Sequence, residues 1–371
     1  MSQYMVNLNP VIWPFERGLV LFLLISSLAV CTAAAELSEL ATHPPRVLLL
    51  DNCDSDFRAP PFNDKVLFLD SKGEIITYIT GLNVCQNIGG NRAITASEDG
   101  RFFVVCENVA NKITAYDLMT GNKMWSLSGK FRSAAIAQDI TYVLTSSEDD
   151  KMYRDGILTI DIEGNTIKQS KEMQGFDIVV DPNANCLWLA GQDIKKCNMD
   201  LQVVQTVDPI GWFVVSIDYG PDGSVWVVER KHPDVAGSQN RLLRISSEGN
   251  ILQNIPLNDL SPKCLRVNRS DGSVWITGNR GRFKKRLSFR RWPPSWEKTY
   301  REIGPETHKY SSEGKLLLKI KRGGYTIGID SLDGSVWIAD KTSLLHYSSE
   351  GKKLHTCDNV SNDQKWIAVA K

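Results

Sequence analysis

One six-residue pattern occurs three times in this chain, and it constrains the fold more than any other feature. Each copy follows an apolar run and precedes a Ser-Ser-Glu-Gly segment. Asp-Gly between short apolar runs is a strong hairpin signal, because the turn needs a positive φ that Gly adopts without steric cost. The Glu-Gly step predicts a second tight turn, so each repeat predicts four short antiparallel strands. The copies are Asp222-Gly-Ser-Val-Trp-Val, Asp271-Gly-Ser-Val-Trp-Ile and Asp333-Gly-Ser-Val-Trp-Ile, followed by Ser246–Gly249, Ser311–Gly314 and Ser348–Gly351.

A series of four-stranded antiparallel units is the sequence pattern of an all-β fold, the β-propeller. Weaker copies continue toward the N-terminus, and we count seven blades, with six as the alternative if a degenerate blade is misassigned. Arg46–Asp51 resembles a second strand without a first, and Lys365–Ala370 resembles a first strand without a blade after it. We therefore predict a composite blade, closed by both ends of the segment 46–371, because such closure removes open sheet edges.

The N-terminal segment has the composition of a targeting sequence. Arg17 precedes the apolar run Gly18–Ala35, which ends in three alanines. This order of a charged, an apolar and a small-residue region is typical of a secretory signal peptide. We predict a signal peptide over 1–35, a linker over 36–45, and an exported protein, periplasmic or extracellular. The alternative is an uncleaved membrane anchor, which would be the chain's only membrane contact.

Charge and cysteine content limit the function classes. Lys+Arg and Asp+Glu are 43 each, and a nucleic-acid-binding protein would usually show a basic excess. The eight cysteines contain no Cys-x-x-Cys pair and the five histidines are scattered, which disfavours a zinc site. Cys186 and Cys197 flank one predicted hairpin; they form either a disulfide or two small buried apolar positions.

The loops that join the second and third strands vary most in length and lie on one face of the predicted ring. Such variable loops on a rigid scaffold often carry binding sites. The longest, in blade six, interleaves cations with aromatic residues, a composition suited to a protein, an anionic polysaccharide or another anionic surface. The alternative is a solvated insertion without a partner. The predicted binding residues are Arg280, Arg282, Lys284, Lys285, Arg286, Arg290, Arg291, Trp292 and Trp296.

Tryptophans recur at one position of the second strand in several blades. Repetition at a single blade position is typical of packing between blades rather than of ligand binding. We therefore expect Trp188, Trp226, Trp275 and Trp337 to be core residues.

Several second strands end in a polar residue near the predicted channel mouth, and oxygen ligands from three or four of them would suit Ca²⁺ or Mg²⁺. The repeat Asp333-Gly-Ser-Val-Trp-Ile-Ala-Asp, followed by Leu345-His-Tyr-Ser-Ser-Glu-Gly, resembles NHL-type repeat propellers and, more distantly, gluconolactonase/senescence-marker and streptogramin-lyase propellers. The lactonase-like members imply a divalent metal at the channel mouth. The nearest counterparts here are Glu107, Asn108, Asn279 and Asp340.

Two functions follow as hypotheses. The first is an exported, non-catalytic propeller that binds a protein or an anionic glycan or surface through its loop rim. The second is a metal-dependent lactonase or lyase. The lyase-like members imply a His/Glu pair at the channel, and neither His232, in a loop, nor His346, in a third strand, is placed as a convincing general base.

Overall fold

The computed structural model describes residues 45–51, 64–84, 92–145, 156–171, 173, 175–208, 213–230, 240–288, 295–340, 343–358, 360 and 365–370. All 28 regular elements in these ranges are strands, and they form seven four-stranded antiparallel sheets. Contacts join each inner strand to the inner strand of the next sheet, so the sheets close into a ring. The seven-bladed β-propeller is confirmed. Within the same ranges no helix is long and apolar enough to cross a membrane.

Blade one is the composite blade, and its strands run from the channel outward as β28 (Lys365–Val369), β1 (Val47–Asp51), β2 (Asp64–Leu69) and β3 (Ile75–Leu82). Blade two contains β4 (Ile94–Ala96), β5 (Phe102–Glu107), β6 (Lys112–Asp117) and β7 (Lys123–Ser128). Blade three contains β8 (Phe131–Ala137), β9 (Ile140–Thr145), β10 (Gly156–Ile160) and β11 (Thr166–Ser170).

Blade four contains β12 (Asp177–Asp181), β13 (Cys186–Ala190), β14 (Ile194–Asn198) and β15 (Val203–Val207). Blade five contains β16 (Phe213–Tyr219), β17 (Val225–Arg230), β18 (Arg241–Ile245) and β19 (Ile251–Pro256). Blade six contains β20 (Leu260–Val267), β21 (Val274–Ser288), β22 (Ser295–Tyr310) and β23 (Leu316–Ile320). Blade seven contains β24 (Thr326–Ile329), β25 (Val336–Ala339), β26 (Ser343–Tyr347) and β27 (Lys353–Asp358).

The repeated glycines occupy the conformation that the turns require. In the Asp-Gly-Ser turns, Gly223, Gly272 and Gly334 have φ between 70° and 77°. The Glu-Gly turns place their glycines at similar positive values. A side chain in this left-handed region would be strained, which explains why Gly recurs at both positions.

The core lies between neighbouring blades, and the repeated tryptophans are part of it. Trp188, Trp226, Trp275 and Trp337 are each at most 1% exposed, which confirms their predicted role. In three blades the residue paired with the Trp on the third strand is a cation that lies over the indole ring. These residues are Lys196, Arg244 and Lys309.

Each of these three cations also links its blade to the next one. Lys196 donates to the carbonyl of Ser247 at 2.8 Å, Arg244 to Ser312 at 2.8 Å, and Lys309 to Ser349 at 2.9 Å. The acceptors are equivalent residues of the Ser-Ser-Glu-Gly turns in blades five, six and seven. One repeated side chain therefore covers the core of its own blade and holds the turn of its neighbour.

The two cysteines of blade four form no disulfide. Both are free, and the strand pairing aligns Cys197 with Leu187 rather than with Cys186. Because adjacent residues of a strand face opposite sides of the sheet, this offset of one residue puts the two thiols on opposite faces. Cys186 packs against Trp188, and Cys197 packs toward blade three. The buried-apolar alternative is correct for this pair.

Candidate functional site

The central channel is crossed by a buried ionic cluster. Arg92, just before the inner strand of blade two, contacts Asp177 of blade four at 2.7 Å and Asp218 of blade five at 3.1 Å. Arg269, at the end of the inner strand of blade six, contacts Asp218 at 2.6 Å. Asp177 also accepts hydrogen bonds from Ser133 and Ser216, both at 3.2 Å. Five blades, two to six, are thus joined through groups that meet inside the channel.

The charges of this cluster stabilise one another. Burial opposes the charged form of Arg92, but Asp177 and Asp218 raise its pKa above the ordinary value. Burial would raise the pKa of Asp218, but Arg269, Arg92 and Arg266 hold it below its usual range. The shifts keep Arg92 and Asp218 charged, so that each satisfies the other.

A cavity of about 380 Å³ lies beside this cluster and is lined by residues of the turns between first and second strands, among them Glu98, Gln138 and Pro182. It therefore lies toward the face of the ring opposite the variable loops. Its charged groups are engaged with one another: Asp218 pairs with Arg92 and Arg269, and Glu98 accepts a hydrogen bond from Tyr219 at 3.2 Å. These contacts join blades two, five and six beside the cavity.

Blade six carries the most unusual element of the ring. Its two middle strands, β21 and β22, are 15 and 16 residues long, whereas every other strand has at most eight. They stay paired from Val274 and Tyr310 to Ser288 and Ser295. The basic insertion was expected as a loop but is largely a β-ribbon. It forms because β21 and β22 stay paired beyond the edge of blade six. Gly281–Ser288 alone adds about 26 Å at roughly 3.3 Å per residue.

The pairing register divides the ribbon into two faces. Opposite residues of an antiparallel pair share a face and successive residues alternate. One face, which we call the basic face, contains Arg282 paired with Arg301, Lys284 with Thr299, and Arg286 with Glu297. The other contains the apolar and aromatic pairs Phe283 with Tyr300 and Leu287 with Trp296, with Lys285 and Lys298 between them. Arg290, Arg291 and Trp292 lie outside the described residues.

The basic face continues into the blade itself. Arg280 and Arg282 are two residues apart on β21, so they lie on the same side of the sheet. Ile276, further along on this side, packs in the core toward blade five. His308 pairs with Ile276, and Lys319 pairs with His308, so both belong to the same side. Positive residues on this side therefore run from Lys319 on β23 through Arg280 to the ribbon, with Glu306 on the same side between Lys319 and Arg280.

A pocket of about 240 Å³ lies at the base of the ribbon, which we call the basal pocket. Among the described residues, none of its three cations forms an ion pair with a carboxylate. Unlike the channel arginines, they are therefore free to receive an external anion. The lining residues are Asp259, Arg280, Gly281, Glu306, Lys319 and Lys321.

Glu306 is held in this pocket by a buried hydrogen-bonded chain. His308 Nε2 lies 2.9 Å from Glu306 Oε2, and His308 Nδ1 lies 3.3 Å from the Tyr310 hydroxyl. Burial lowers the pKa of His308, although Glu306 acts in the opposite direction. Burial, together with the charge of Glu306, raises the pKa of Tyr310 to about 12. At neutral pH the phenol therefore donates to a neutral imidazole, which donates to the carboxylate.

The four residues predicted as metal ligands lie in blades two, six and seven. The Glu107 carboxylate accepts from the Thr114 hydroxyl at 2.8 Å and from the Asn83 amide at 3.2 Å. Asn108 follows β5 in a turn, Asn279 lies in β21, and Asp340 pairs with Arg322 at 3.8 Å. The described residues contain no group of three or more His, Cys, Asp or Glu side chains arranged to hold a metal ion.

Sequence reasoning included Arg280 and the ribbon cations among the candidate binding residues but not Lys319, Lys321 and Glu306. The two lysines flank the end of an outer strand, and the glutamate comes 26 residues after Arg280. Their meeting depends on the register of three strands, although the alternation Glu306, His308, Tyr310 is visible in the sequence as a one-sided polar stripe.

Comparison with solved structures supports the fold. The chain is similar to a hydrazine synthase structure from Kuenenia stuttgartiensis, with 15% identity, a TM-score of 0.56, and coverage of 74% of this chain and 81% of the other. It is also similar to dihydro-heme d1 dehydrogenase NirN in complex with DHE, with 12% identity, a TM-score of 0.52, and coverage of 87% and 75%. No protein-family model matches the sequence, and no curated protein matches it either. At these identities the similarity shows a β-propeller and leaves its ligand to be argued from the site.

Proposed function

We propose that this chain is an exported, non-catalytic propeller that binds a linear acidic polysaccharide along the basic face of blade six. The row of cations that runs from the basal pocket to the ribbon carries this proposal. Residues two apart on a strand are about 7 Å apart, so the row offers regularly spaced positive groups to a chain that lies along it. Export rests on the predicted signal segment, and the NHL-like repeats fit a propeller used as a scaffold.

The separation of the two ribbon faces favours a polymer over a membrane. A membrane-binding element usually brings its aromatic and basic residues to one interface. Here the basic face carries most of the ribbon cations, whereas the face with Phe283 and Trp296 holds only one cross-strand pair of them, Lys285 with Lys298. A polymer needs only the basic face. The aromatic face is then available for packing, which a lone two-stranded ribbon needs because it is marginally stable in water.

Two ribbon variants with the same loss of charge test this proposal. Lys284→Gln with Arg286→Gln removes two positive charges from the basic face, and Lys285→Gln with Lys298→Gln removes two from the opposite face. Binding to polygalacturonate, measured by calorimetry at low and high salt, should weaken in the first variant and remain near wild type in the second. The lost part should be salt-sensitive, since contacts between exposed charges are screened above roughly 0.1 M ionic strength.

Other outcomes would overturn the proposal. Equal losses in the two variants would mean that total charge matters and the face does not. Unchanged binding in both, or no binding by the wild type, would leave the ribbon a solvated insertion. Strong binding to vesicles of anionic phospholipid that depends on Lys285 and Lys298 would assign the ribbon to a membrane instead.

A further inference from the structure

We infer that the basal pocket of blade six binds one sugar-acid residue of the polymer, with its carboxylate on the cations and its hydroxyls on the pocket carboxylates. This inference rests on the proposed function and adds to it the class of sugar that is recognised. The argument comes from the charges of the pocket, the fixed position of Glu306 and the size of the space.

The cations of the pocket suit a carboxylate. Arg280, Lys319 and Lys321 converge on the space and have no ion-pair partner among the described residues. The position of Arg280 is set by the paired strands on which it lies, opposite Gly304 in the ladder. Hydrogen bonds between guanidinium or ammonium groups and a carboxylate are shorter and stronger than neutral ones. The pocket therefore offers three cationic donors to an anionic group.

The two acidic residues distinguish a sugar acid from a simple anion. Asp259 and Glu306 line the same pocket, and an ionised carboxylate can only accept hydrogen bonds. Sulfate carries no donor and would be repelled by both groups. A sugar acid brings hydroxyl donors beside its single carboxylate, so both kinds of lining group find a partner.

Glu306 is positioned for this acceptor role. Its Oε2 atom is engaged by His308 Nε2 at 2.9 Å, and no described residue donates to its Oε1 atom. Glu306 and His308 are both buried, with only 3% of each residue exposed to solvent. Glu306 lines the pocket, and its Oε1 atom can therefore accept a hydrogen bond from a ligand hydroxyl there.

The size of the pocket agrees with the binding of one sugar unit of the polymer. Its volume of about 240 Å³ is below the roughly 300–1,000 Å³ typical of sites for drug-sized ligands. The rest of the polymer would then extend from Arg280 along the basic face of the ribbon.

Oligogalacturonate binding to the full chain tests the inference, with the methyl-esterified oligomer as a neutral ligand of the same shape. The variant Lys319→Gln with Lys321→Gln should weaken binding roughly three- to tenfold. Both lysines are exposed, so this variant is expected to fold. The control Lys352→Gln with Lys353→Gln removes the same charge from an exposed part of blade seven and should bind like the wild type. The methyl-esterified oligomer should bind neither protein.

For the variant Asp259→Ala, the two kinds of site predict opposite changes in affinity. Removal of a negative charge would strengthen the binding of a simple anion, whereas loss of a hydroxyl acceptor should weaken the binding of oligogalacturonate. Weaker binding supports the inference, and stronger binding overturns it. Inorganic sulfate that competes as well as galacturonate at matched ionic strength would also overturn it, because the site would then be a simple anion site.

The inference and the proposed function fail in different ways. If the Lys319/Lys321 variant binds like the wild type while the Lys284/Arg286 variant does not, the basal pocket has no role but the ribbon still binds the polymer. If neither variant loses affinity, or the wild type does not bind, both are wrong.

Discussion

Arg92 Nη1 lies 2.7 Å from Asp177 Oδ1, although the two residues belong to blades two positions apart in the ring. The other guanidinium nitrogen, Nη2, reaches Asp218 one blade further at 3.1 Å. A propeller blade otherwise contacts mainly its two neighbours. This one side chain therefore ties together blades that the sheet packing leaves separate, and it does so while almost fully buried.

Replacement of Arg92 should be among the most destabilising single changes in the chain. Arg92→Met leaves Asp177 buried without its cation and removes one of the two arginines that contact Asp218. Breaking a buried ion pair in this way typically costs about 3–5 kcal/mol of stability. We expect a clear fall in the melting temperature, measured by circular dichroism or calorimetry. Arg101→Met is the control, because Arg101 is half exposed and its ion pairs lie in solvent. Equal melting temperatures for Arg92→Met and the wild type would show that the cluster contributes little.

Glu229 predicts a pH dependence of stability. It is fully buried at the end of β17, no described residue bonds to either carboxylate oxygen, and burial raises its pKa to about 7, despite the charge of Arg241. The folded state thus holds a proton that the unfolded chain releases near pH 4.5. The stabilisation of the folded state from this proton is fully present below pH 4.5, falls as the pH rises, and is lost above pH 7. The shift corresponds to about 3 kcal/mol of folding free energy.

The variant Glu229→Gln isolates this effect because it stays neutral at every pH. Between pH 5 and pH 8 the melting temperature of the wild type should fall more than that of the variant. The difference between the two melting curves, followed across this range, is the quantity to measure. Parallel curves would mean that Glu229 does not titrate near neutral pH.

The cation that links neighbouring blades makes a smaller contribution. Lys309 Nζ lies 5.4 Å from the centroid of the Trp275 ring and donates to the Ser349 carbonyl at 2.9 Å. Lys309→Met keeps most of the apolar stem but loses these two contacts and the 3.7 Å ion pair with Asp271, so we expect a loss of about 1–2 kcal/mol in a denaturant titration. Lys315→Met, at an exposed position of the same blade, should have almost no effect. A loss of the same size in both variants would argue against the link.

Local turn chemistry explains why the ring could be predicted from sequence. Gly223, Gly272 and Gly334 mark positions where only one backbone conformation closes the hairpin, so the blade boundaries are visible without a structure. The same logic failed for blade six, where the ribbon was expected as a loop. Between Gly281 and Pro293 the sequence contains neither Gly nor Pro, and this absence of turn residues was the available signal for continued strands.

Contacts between blades were beyond sequence reasoning for a different reason. The carbonyl that Arg244 binds lies 68 residues away, and the partners of Arg92 lie 85 and 126 residues away. Such distances are fixed by ring closure rather than by any local pattern. The basal pocket depends in addition on the register of three strands, since a shift of one residue would send Arg280 to the other face.

The composite blade gives the last prediction. The strand β28 pairs with β1 from Val369 with Val47 to Lys365 with Asp51, and Trp366 packs in the core toward blade two while Ile367 packs toward blade seven. Deletion of residues 363–371 would expose the edge of β1 and remove core residues on both sides. We expect aggregation or a large fall in melting temperature, since open apolar edges promote association.

A circular permutant separates ring closure from simple loss of residues. The Ala370 amide donates to the Arg46 carbonyl at 2.9 Å, so the C-terminal segment can be placed before Arg46 and joined to it by a two-residue Asn-Gly turn. This permutant contains every strand of the ring, with its new end after blade seven, and should remain monodisperse by light scattering and melt near the wild type. A deletion variant that melts like the wild type would show that β28 does not close the ring. A permutant as unstable as the deletion variant would show that the order of the chain matters beyond the strand it supplies.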